Sequence, residues 1–422
     1  MRISTALVSA VVGALAASAL PLQDPTAANP QIAFSADSST RSAASIPAVA
    51  AAIAALDPSH AAQLQAHIAS LAEPVRVKIA EDQEPLAITE GQKALLTLAG
   101  IRFVDVTNER SFVTTTDQEV FPSKLSYSQK ALKPLFDRLD LDNMHKFLSS
   151  FTAFRTRYYR SETGAQSQKF LLGQIEQIAA SNKHVNVSVR EFKHNWGQNS
   201  IVARFEPDEA SLKGNSTGGI VILGAHQDST NLLPFLAAPG ADDDASGTTS
   251  ILSAFKALVE SGFQPTDSPV EFHFYSAEEG GLLASQAMAQ DYAARGVRVR
   301  SMLQMDMTAY VKPGTEPTIG IIQDFVSPDF TAYLTTVVKE YASIKPVETK
   351  CGYACSDHAS WSKVGVPSGF TIESTFEDSD HNIHSTRDTI DQEGYSLEHV
   401  AEFAKVAIAL AVELGGGSSV VA

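Results

Sequence analysis

The sequence predicts an α/β protein of three layers, with helices on both faces of a mixed, largely parallel central sheet. From about Phe121 onward, short apolar segments typical of buried strands alternate with amphipathic segments typical of helices. Hydrophobic residues make up 44% of the 422 residues and charged residues 19%. This composition supplies a large core and excludes global disorder.

The predicted elements follow one another in an order typical of a parallel sheet with crossover helices, and no internal repeat is present. The predicted strands cover residues 185–192, 201–205, 219–223, 270–275, 301–305, 318–322 and 368–372. The predicted helices cover residues 127–139, 142–150, 165–180, 245–260, 281–295, 329–341 and 397–414.

The first 118 residues differ from the rest in composition and sequence pattern. Arg2, an apolar stretch over 6–17 and small residues at 17–19 predict a signal peptide over residues 1–19, with a buried N-terminal helix as the alternative. Residues 20–118 are Ala-rich in part and end in a linker-like stretch. We interpret them as a propeptide, with a small domain that stays attached as the alternative. Residues 119–422 form the predicted catalytic domain.

A leader of this kind predicts a secreted, extracellular protein. In that environment, asparagines can be glycosylated and cysteines can be oxidised. Asn186 and Asn215 begin Asn-X-Ser/Thr sequences and become glycosylation sites in a glycosylating host. Cys351 and Cys355 enter an oxidising space, where a disulfide between them would hold a local turn. Two free thiols are the alternative.

Charge and hydropathy exclude two classes of partner. The formal net charge is −16 and no basic cluster offsets it, so nucleic-acid binding is not expected. The leader's apolar run is shorter than the ~20 residues of a membrane span, and no second long apolar stretch follows. We therefore expect no membrane partner, and a monomer by default.

Histidines and carboxylates follow several predicted strands. In open α/β sheets, binding sites form just beyond the carboxyl ends of the strands, so we expect these side chains to meet at one edge. The residues concerned are His226 and Asp228, Glu278 and Glu279, Asp306, His381 and His384, together with the triplet Asp242–Asp244 ahead of a helix.

Each of these residues also has a simpler explanation on its own. Asp244 would suit a helix cap, and Glu278 with Glu279 would suit the first turn of a helix. Three adjacent aspartates, however, repel one another unless a cation neutralises them, and the segment GADDDASG contains no Lys or Arg. A metal cluster is the simplest account of the whole set.

The ligand types favour zinc or another borderline divalent ion, with cobalt and manganese left open. Two ions held about 3.5–4 Å apart need a bridging carboxylate. Asp228, two residues after His226, is placed to orient that imidazole, and Glu278 is left over as a general base. The inventory of ligands is His226, Asp243, Glu279, Asp306 and His384.

Six motifs resemble those of the secreted two-zinc leucyl aminopeptidases, both the fungal enzymes and the bacterial one. In the family's order they are GAHQDST, APGADDDASG, YSAEEGG, LQMDMTAY, CGYACSDHASW and IHSTRDT. The resemblance extends from about residue 120 to the C-terminus. It implies a zinc-peptidase fold preceded by a propeptide, two Zn²⁺ per subunit, and peptide substrates with a free N-terminus.

The resemblance also implies a role for individual residues. His226 and Asp306 would bind one zinc, Glu279 and His384 the other, and Asp243 would bridge them, with Glu278 as the catalytic base. Cys351 and Cys355 would form a disulfide beside the site. The candidate substrate-binding residues for an apolar N-terminal side chain such as leucine are Tyr353, Met307, Phe370, Ile372, Phe376 and Ile383.

Two other classes of function remain open at this stage. The first is a related zinc enzyme, either a carboxypeptidase or a single-zinc glutaminyl cyclase. A carboxypeptidase would want an arginine for the substrate carboxylate, and Arg387 is the only basic residue in the motifs. The second is a binding domain without activity, which would be expected to lose ligands, and none is missing.

Overall fold

A computed structural model of the chain describes residues 41–110, 119–207 and 218–417. It divides into two compact units, Met1–Glu109 with Leu232–Phe235, and Arg110–Asn231 with Leu236–Ala422. The predicted signal peptide, the linker-like stretch before Gln118 and the predicted glycosylation site at Asn215 lie outside the described residues. Within the described ranges, no helix is both long and apolar enough to span a membrane.

The first unit contains a small antiparallel sheet of order β2-β1-β3. Asp57 caps the second helix by accepting the N–H groups of Ser59 and His60. Val75, Val77, Ile88 and Leu96 are buried together beneath the sheet. The elements are α1 (Arg41–Ala54), α2 (Pro58–Ser70), β1 (Pro74–Lys78), β2 (Leu86–Thr89), α3 (Lys93–Leu98) and β3 (Val104–Asp105).

The second unit is built on one eight-stranded mixed sheet of order β10-β9-β11-β8-β6-β7-β5-β4. Its strands are β4 (Val187–Phe192), β5 (Ser200–Phe205), β6 (Ile220–His226), β7 (Val270–Tyr275), β8 (Val299–Met305), β9 (Thr318–Ile322), β10 (Lys345–Thr349) and β11 (Ser368–Ile372). The central strands β7, β6, β8 and β11 are mutually parallel, so their carboxyl ends lie along one edge.

Helices cover both faces of this sheet. A large core includes side chains of α7, α9 and α11, and a smaller core on the other face includes side chains of α8 and α10. The helices are α4 (Gln129–Phe136), α5 (Leu141–Phe151), α6 (Glu162–Ser181), α7 (Gly247–Ser261), α8 (Leu283–Ala294), α9 (Pro328–Tyr341), α10 (His358–Lys363) and α11 (Leu397–Gly415).

The predicted three-layer α/β class is confirmed, and the differences lie at the periphery. Strand β10 and the short helix α10 were not predicted, because neither has a long apolar pattern. The outer strands β4 and β5 and the β9–β11 pair are antiparallel. Periodicity identifies a strand but does not give its direction, which is fixed by the chain path between strands.

Candidate metal centre

The middle aspartate of the triplet lies between two histidines. Oδ1 of Asp243 is 3.1 Å from Nε2 of His226, and Oδ2 is 3.0 Å from Nε2 of His384. The same Nε2 of His384 is 3.0 Å from Oε2 of Glu279. His226 is the last residue of β6, and His384 lies in the loop after β11. One carboxylate therefore faces two imidazoles, one at the end of a strand and one in a loop.

Asp306 completes the set at the end of β8. Its Oδ1 is 3.6 Å from Nε2 of His226, and its Oδ2 accepts a 2.6 Å hydrogen bond from the hydroxyl of Ser356. The structure thus brings together all five residues predicted as ligands. His381, which shares a loop with His384, is exposed, and its ring lies near the carbonyl of Glu377 instead.

The side chains of Asp242 and Asp244, on either side of Asp243, accept hydrogen bonds from backbone N–H groups. Oδ2 of Asp244 accepts the N–H of His226, and its Oδ1 accepts those of Gly247 and Met307. Oδ1 of Asp242 accepts the N–H of Ala309. Asp244 is not the N-cap residue of α7, which is Ser246, but its side chain accepts the N–H of Gly247, the first residue of the helix. Of the three carboxylates, that of Asp243 is the one turned to the histidines.

The residues present fit a metal ion. Among the described residues, Oδ1 of Asp306 and Oε1 of Glu279 are buried and accept no hydrogen bond, which is costly unless a cation is bound. Two groups of ligand atoms each lie within 4.8 Å of one another: His226, Asp244 and Asp306, and Asp243, Glu279 and His384. Imidazole and carboxylate without thiolate suit zinc.

The electrostatics of the site also favour bound cations. Burial opposes charge on the two imidazoles, but nearby carboxylates outweigh it. They raise the pKa of His226 well above its ordinary value and that of His384 to about 10. Burial would raise the pKa of Asp243, yet the two histidines hold it far below the ordinary range. The carboxylates and imidazoles of this centre thus interact strongly with one another.

Asp228 is placed to fix the turn that carries both glutamates. Its Oδ1 accepts the N–H of Glu278 at 3.1 Å and its Oδ2 accepts that of Glu279 at 3.3 Å. Oδ1 is also 3.4 Å from Nδ1 of His226. The contact with His226 was expected from the sequence, whereas the two stronger contacts were not. Burial raises the pKa of Glu278 well above its ordinary value.

The predicted substrate-binding residues form one apolar cluster around a disulfide. Cys351 and Cys355 are bonded to each other, as expected. They pack in the same cluster as all six predicted residues. Two of these, Met307 and Ile383, are sequence neighbours of the ligand candidates Asp306 and His384. The cluster contains Met307, Tyr353, Phe370, Ile372, Phe376 and Ile383, together with Ile322 and Val326.

Several residues of the site were missed by sequence reasoning. Ser356 contacts Asp306, and Asp388 accepts the N–H groups of Asp242 and Asp243. Both residues lie inside the quoted motifs, so their position in the sequence could have identified them as residues of the site. Arg157 lies outside every motif, yet it is fully buried, and its positive charge interacts with Asp388, Asp228, Asp244 and Asp243. A cation from a distant part of the chain thus interacts with two of the three aspartates of the triplet, Asp243 and Asp244.

Fold and site together define a metallopeptidase of the α/β type, and comparisons with known proteins agree. Residues 209–411 match the model of peptidase family M28. Leucine aminopeptidase 1 of Phaeosphaeria nodorum is 47% identical over 342 residues, covering 78% of this chain and 85% of that protein. Leucine aminopeptidase 1 of Chaetomium globosum is 45% identical over 345 residues, covering 78% and 82%.

A solved structure shows the same fold. The LapA aminopeptidase of Legionella pneumophila superposes with a TM-score of 0.69 at 26% identity, covering 82% of this chain and 95% of that one. The chain belongs to the fungal leucine aminopeptidase family within peptidase family M28. It is a zinc-dependent aminopeptidase, which confirms the predicted class of enzyme.

Proposed function

We propose that the centre holds two zinc ions bridged by Asp243. His226 and Asp306 would bind one ion, and Glu279 and His384 the other. The observation that carries this proposal is the placement of the two oxygens of Asp243, each about 3 Å from a different imidazole. Because the oxygens of Asp244 already accept three backbone N–H groups, that residue is left out. When bound, zinc supplies Lewis-acid activation of the scissile carbonyl.

Glu278 is the general base in this proposal. It takes a proton from the attacking water and later delivers it to the leaving amine. Two features support this role: its backbone N–H is fixed by Asp228, and burial raises the pKa of its carboxyl group above the ordinary value. Its neighbour Glu279 faces His384 and is a ligand instead.

The substrate is a peptide with a free N-terminus and an apolar first residue, with leucine preferred. The acidic ligands would attract the substrate's α-ammonium group, and the apolar cluster around the disulfide would accept the side chain. An apolar pocket discriminates by only ~1–3 kcal/mol per methylene, so the preference should be broad.

The leader and residues 20–118 point to a secreted enzyme made as a zymogen, from which a propeptide is removed. Asn186 is exposed at the start of a strand and fits a glycan. The net charge of −16 and the lack of a second long apolar segment agree with a protein that binds neither nucleic acid nor membrane, and a monomer is the default.

The test is metal analysis combined with a paired assay on purified protein. Two zinc per chain, with cleavage of leucine p-nitroanilide but not of its N-acetylated form, would support the proposal. Removal of metal by 1,10-phenanthroline should abolish cleavage and added zinc should restore it. One zinc per fully active chain would overturn the bridged centre, and equal cleavage of the acetylated substrate would overturn recognition of the amine.

A further inference from the structure

Arg157 is completely buried, and its guanidinium donates to backbone carbonyls rather than to carboxylates. Nε donates to the carbonyl of Gln227 at 2.8 Å, and Nη2 donates to that of Gly240 at 2.8 Å. Nη1 donates to the carbonyl of Pro239. Cζ of the guanidinium lies over the ring of Phe151, 4.5 Å from the centroid. Three hydrogen bonds and one aromatic ring therefore fix the position of the side chain.

The three acceptors lie next to two of the metal-ligand candidates, His226 and Asp243. Gln227 lies between His226 and Asp228, and Gly240 lies three residues before Asp243. Both segments lie in the connection between β6 and α7, and one planar cation from another part of the chain joins them. The three N–H donors of lysine sit on one nitrogen atom, so lysine cannot match a planar fork that reaches three separate carbonyls.

The surroundings are shaped to admit the guanidinium. Gly240 has φ +53°, and a Cβ atom there would lie 2.9 Å from Nη2 of Arg157 and 2.5 Å from the carbonyl oxygen of Asp243. The requirement for glycine at this position is therefore explained both by its backbone conformation and by the close approach of the arginine.

The backbone of Arg157 is fixed to the same segments. Its N–H donates to Oγ of Ser229 at 3.0 Å, and that hydroxyl donates to the carbonyl of Ala238 at 2.8 Å. Its carbonyl accepts from Nε2 of Gln198 at 3.0 Å. Main chain and side chain thus connect the 227–229 segment to the 238–240 segment in parallel.

The charge of Arg157 is retained despite burial. Burial lowers the pKa of the guanidinium to about 10, and the carboxylates of Asp388, Asp228, Asp244 and Asp243 oppose that fall. At neutral pH the group is a cation among carboxylates, one of which is the bridging candidate Asp243. It therefore offsets the repulsion between these carboxylates while it fixes the two segments.

We infer that Arg157 is a positioning residue that sets the spacing between His226 and Asp243 and thereby the zinc affinity of the centre. The inference rests on the proposed two-zinc centre. The guanidinium of Arg157 makes no hydrogen bond to a ligand side chain. It acts through the backbone of the 227–229 and 238–240 segments. Loss of such an outer contact typically weakens metal binding 10- to 100-fold.

The test is zinc affinity of Arg157→Lys, measured by competition with a chelating dye on purified protein. We expect at least a tenfold weaker affinity and faster zinc release, with turnover largely recovered at saturating zinc. The matched control is Arg300→Lys. Arg300 also donates to a backbone carbonyl, that of Leu414, but it lies at the start of β8, away from Asp306. The control variant Arg300→Lys should bind zinc with the affinity of the unchanged protein.

The outcomes separate this inference from the proposed function. If the unchanged protein binds one zinc, the two-zinc proposal fails before Arg157 is considered. If it binds two and folded Arg157→Lys binds them equally well, the inference is overturned. If circular dichroism shows that Arg157→Lys does not fold, the inference is tested with Ser229→Ala, which removes one connection between the same two segments. It should weaken zinc binding severalfold, and an unchanged affinity would count against the inference.

Discussion

At the scale of single residues, the triplet Asp242–Asp244 shows how identical side chains acquire different roles. All three are buried, yet backbone amides occupy the oxygens of Asp244 and one oxygen of Asp242. Asp243 is left facing His226 and His384. Composition identified the cluster, but the direction of each carboxylate depends on which amides surround it.

Replacing Asp243 should remove both ions together. We expect Asp243→Ala to retain no zinc after gel filtration, because each ion loses a ligand that it shares with the other. Glu279→Ala, which removes a ligand of one ion only, should retain about one zinc. Inductively coupled plasma mass spectrometry measures both. Two zinc ions in folded Asp243→Ala would reject the bridging role.

Replacing Glu278 should separate catalysis from metal binding. Glu278→Gln is expected to lower kcat by at least ~100-fold, since general bases contribute about 10²–10⁴-fold, while both zinc ions remain bound. The control is Glu377→Gln in the exposed loop after β11, which should keep full activity. Unreduced turnover in fully metallated Glu278→Gln would exclude Glu278 as the base.

At the scale of elements, the disulfide loop between β10 and α10 depends on one aspartate. Asp324, just after β9, accepts the N–H of Cys351 through Oδ1 at 3.2 Å and that of Gly352 through Oδ2 at 2.6 Å. The loop carries Tyr353, whose ring lies at a steep angle to that of Phe376. Asp324 thus holds one wall of the apolar cluster in place.

Removing this anchor should affect specificity before it affects catalysis. Asp324→Ala is expected to lower kcat/KM for leucine p-nitroanilide about fivefold and that for the alanine substrate much less, because only the larger side chain needs a well-formed wall. Asp329→Asn, an exposed change in the first turn of α9, serves as the control. An equal loss for both substrates would argue against a role in the pocket.

At the scale of the whole molecule, a buried charged network crosses the sheet away from the metal centre. Glu271 on β7 accepts hydrogen bonds from Arg204 at 2.8 Å and from Tyr292 at 2.7 Å, and lies 2.7 Å from Nε2 of His273. Burial would raise the pKa of Glu271, but these partners outweigh it and lower the pKa from 4.5 to about 2.

This shift makes a prediction about acid stability. A carboxyl group whose pKa is lower in the folded state stabilises the fold above its unfolded pKa, and the contribution is lost as pH falls from about 4.5 towards 2. Glu271→Gln should therefore be less stable at pH 7 and show a flatter decline in that window, measured by urea unfolding. Glu206→Gln removes the more exposed partner of Arg204 and should change little.

The sequence by itself determined the alternation of strands and helices, the types of ligand and their positions after successive strands. These depend on local apolar patterns and on the general rule that parallel strands end at one edge. It did not reveal strand direction at the sheet's periphery, the amides that turn Asp244 away, or the contacts of Arg157 with Gln227 and Gly240. Such contacts join residues distant in sequence, so only the folded chain decides which groups meet.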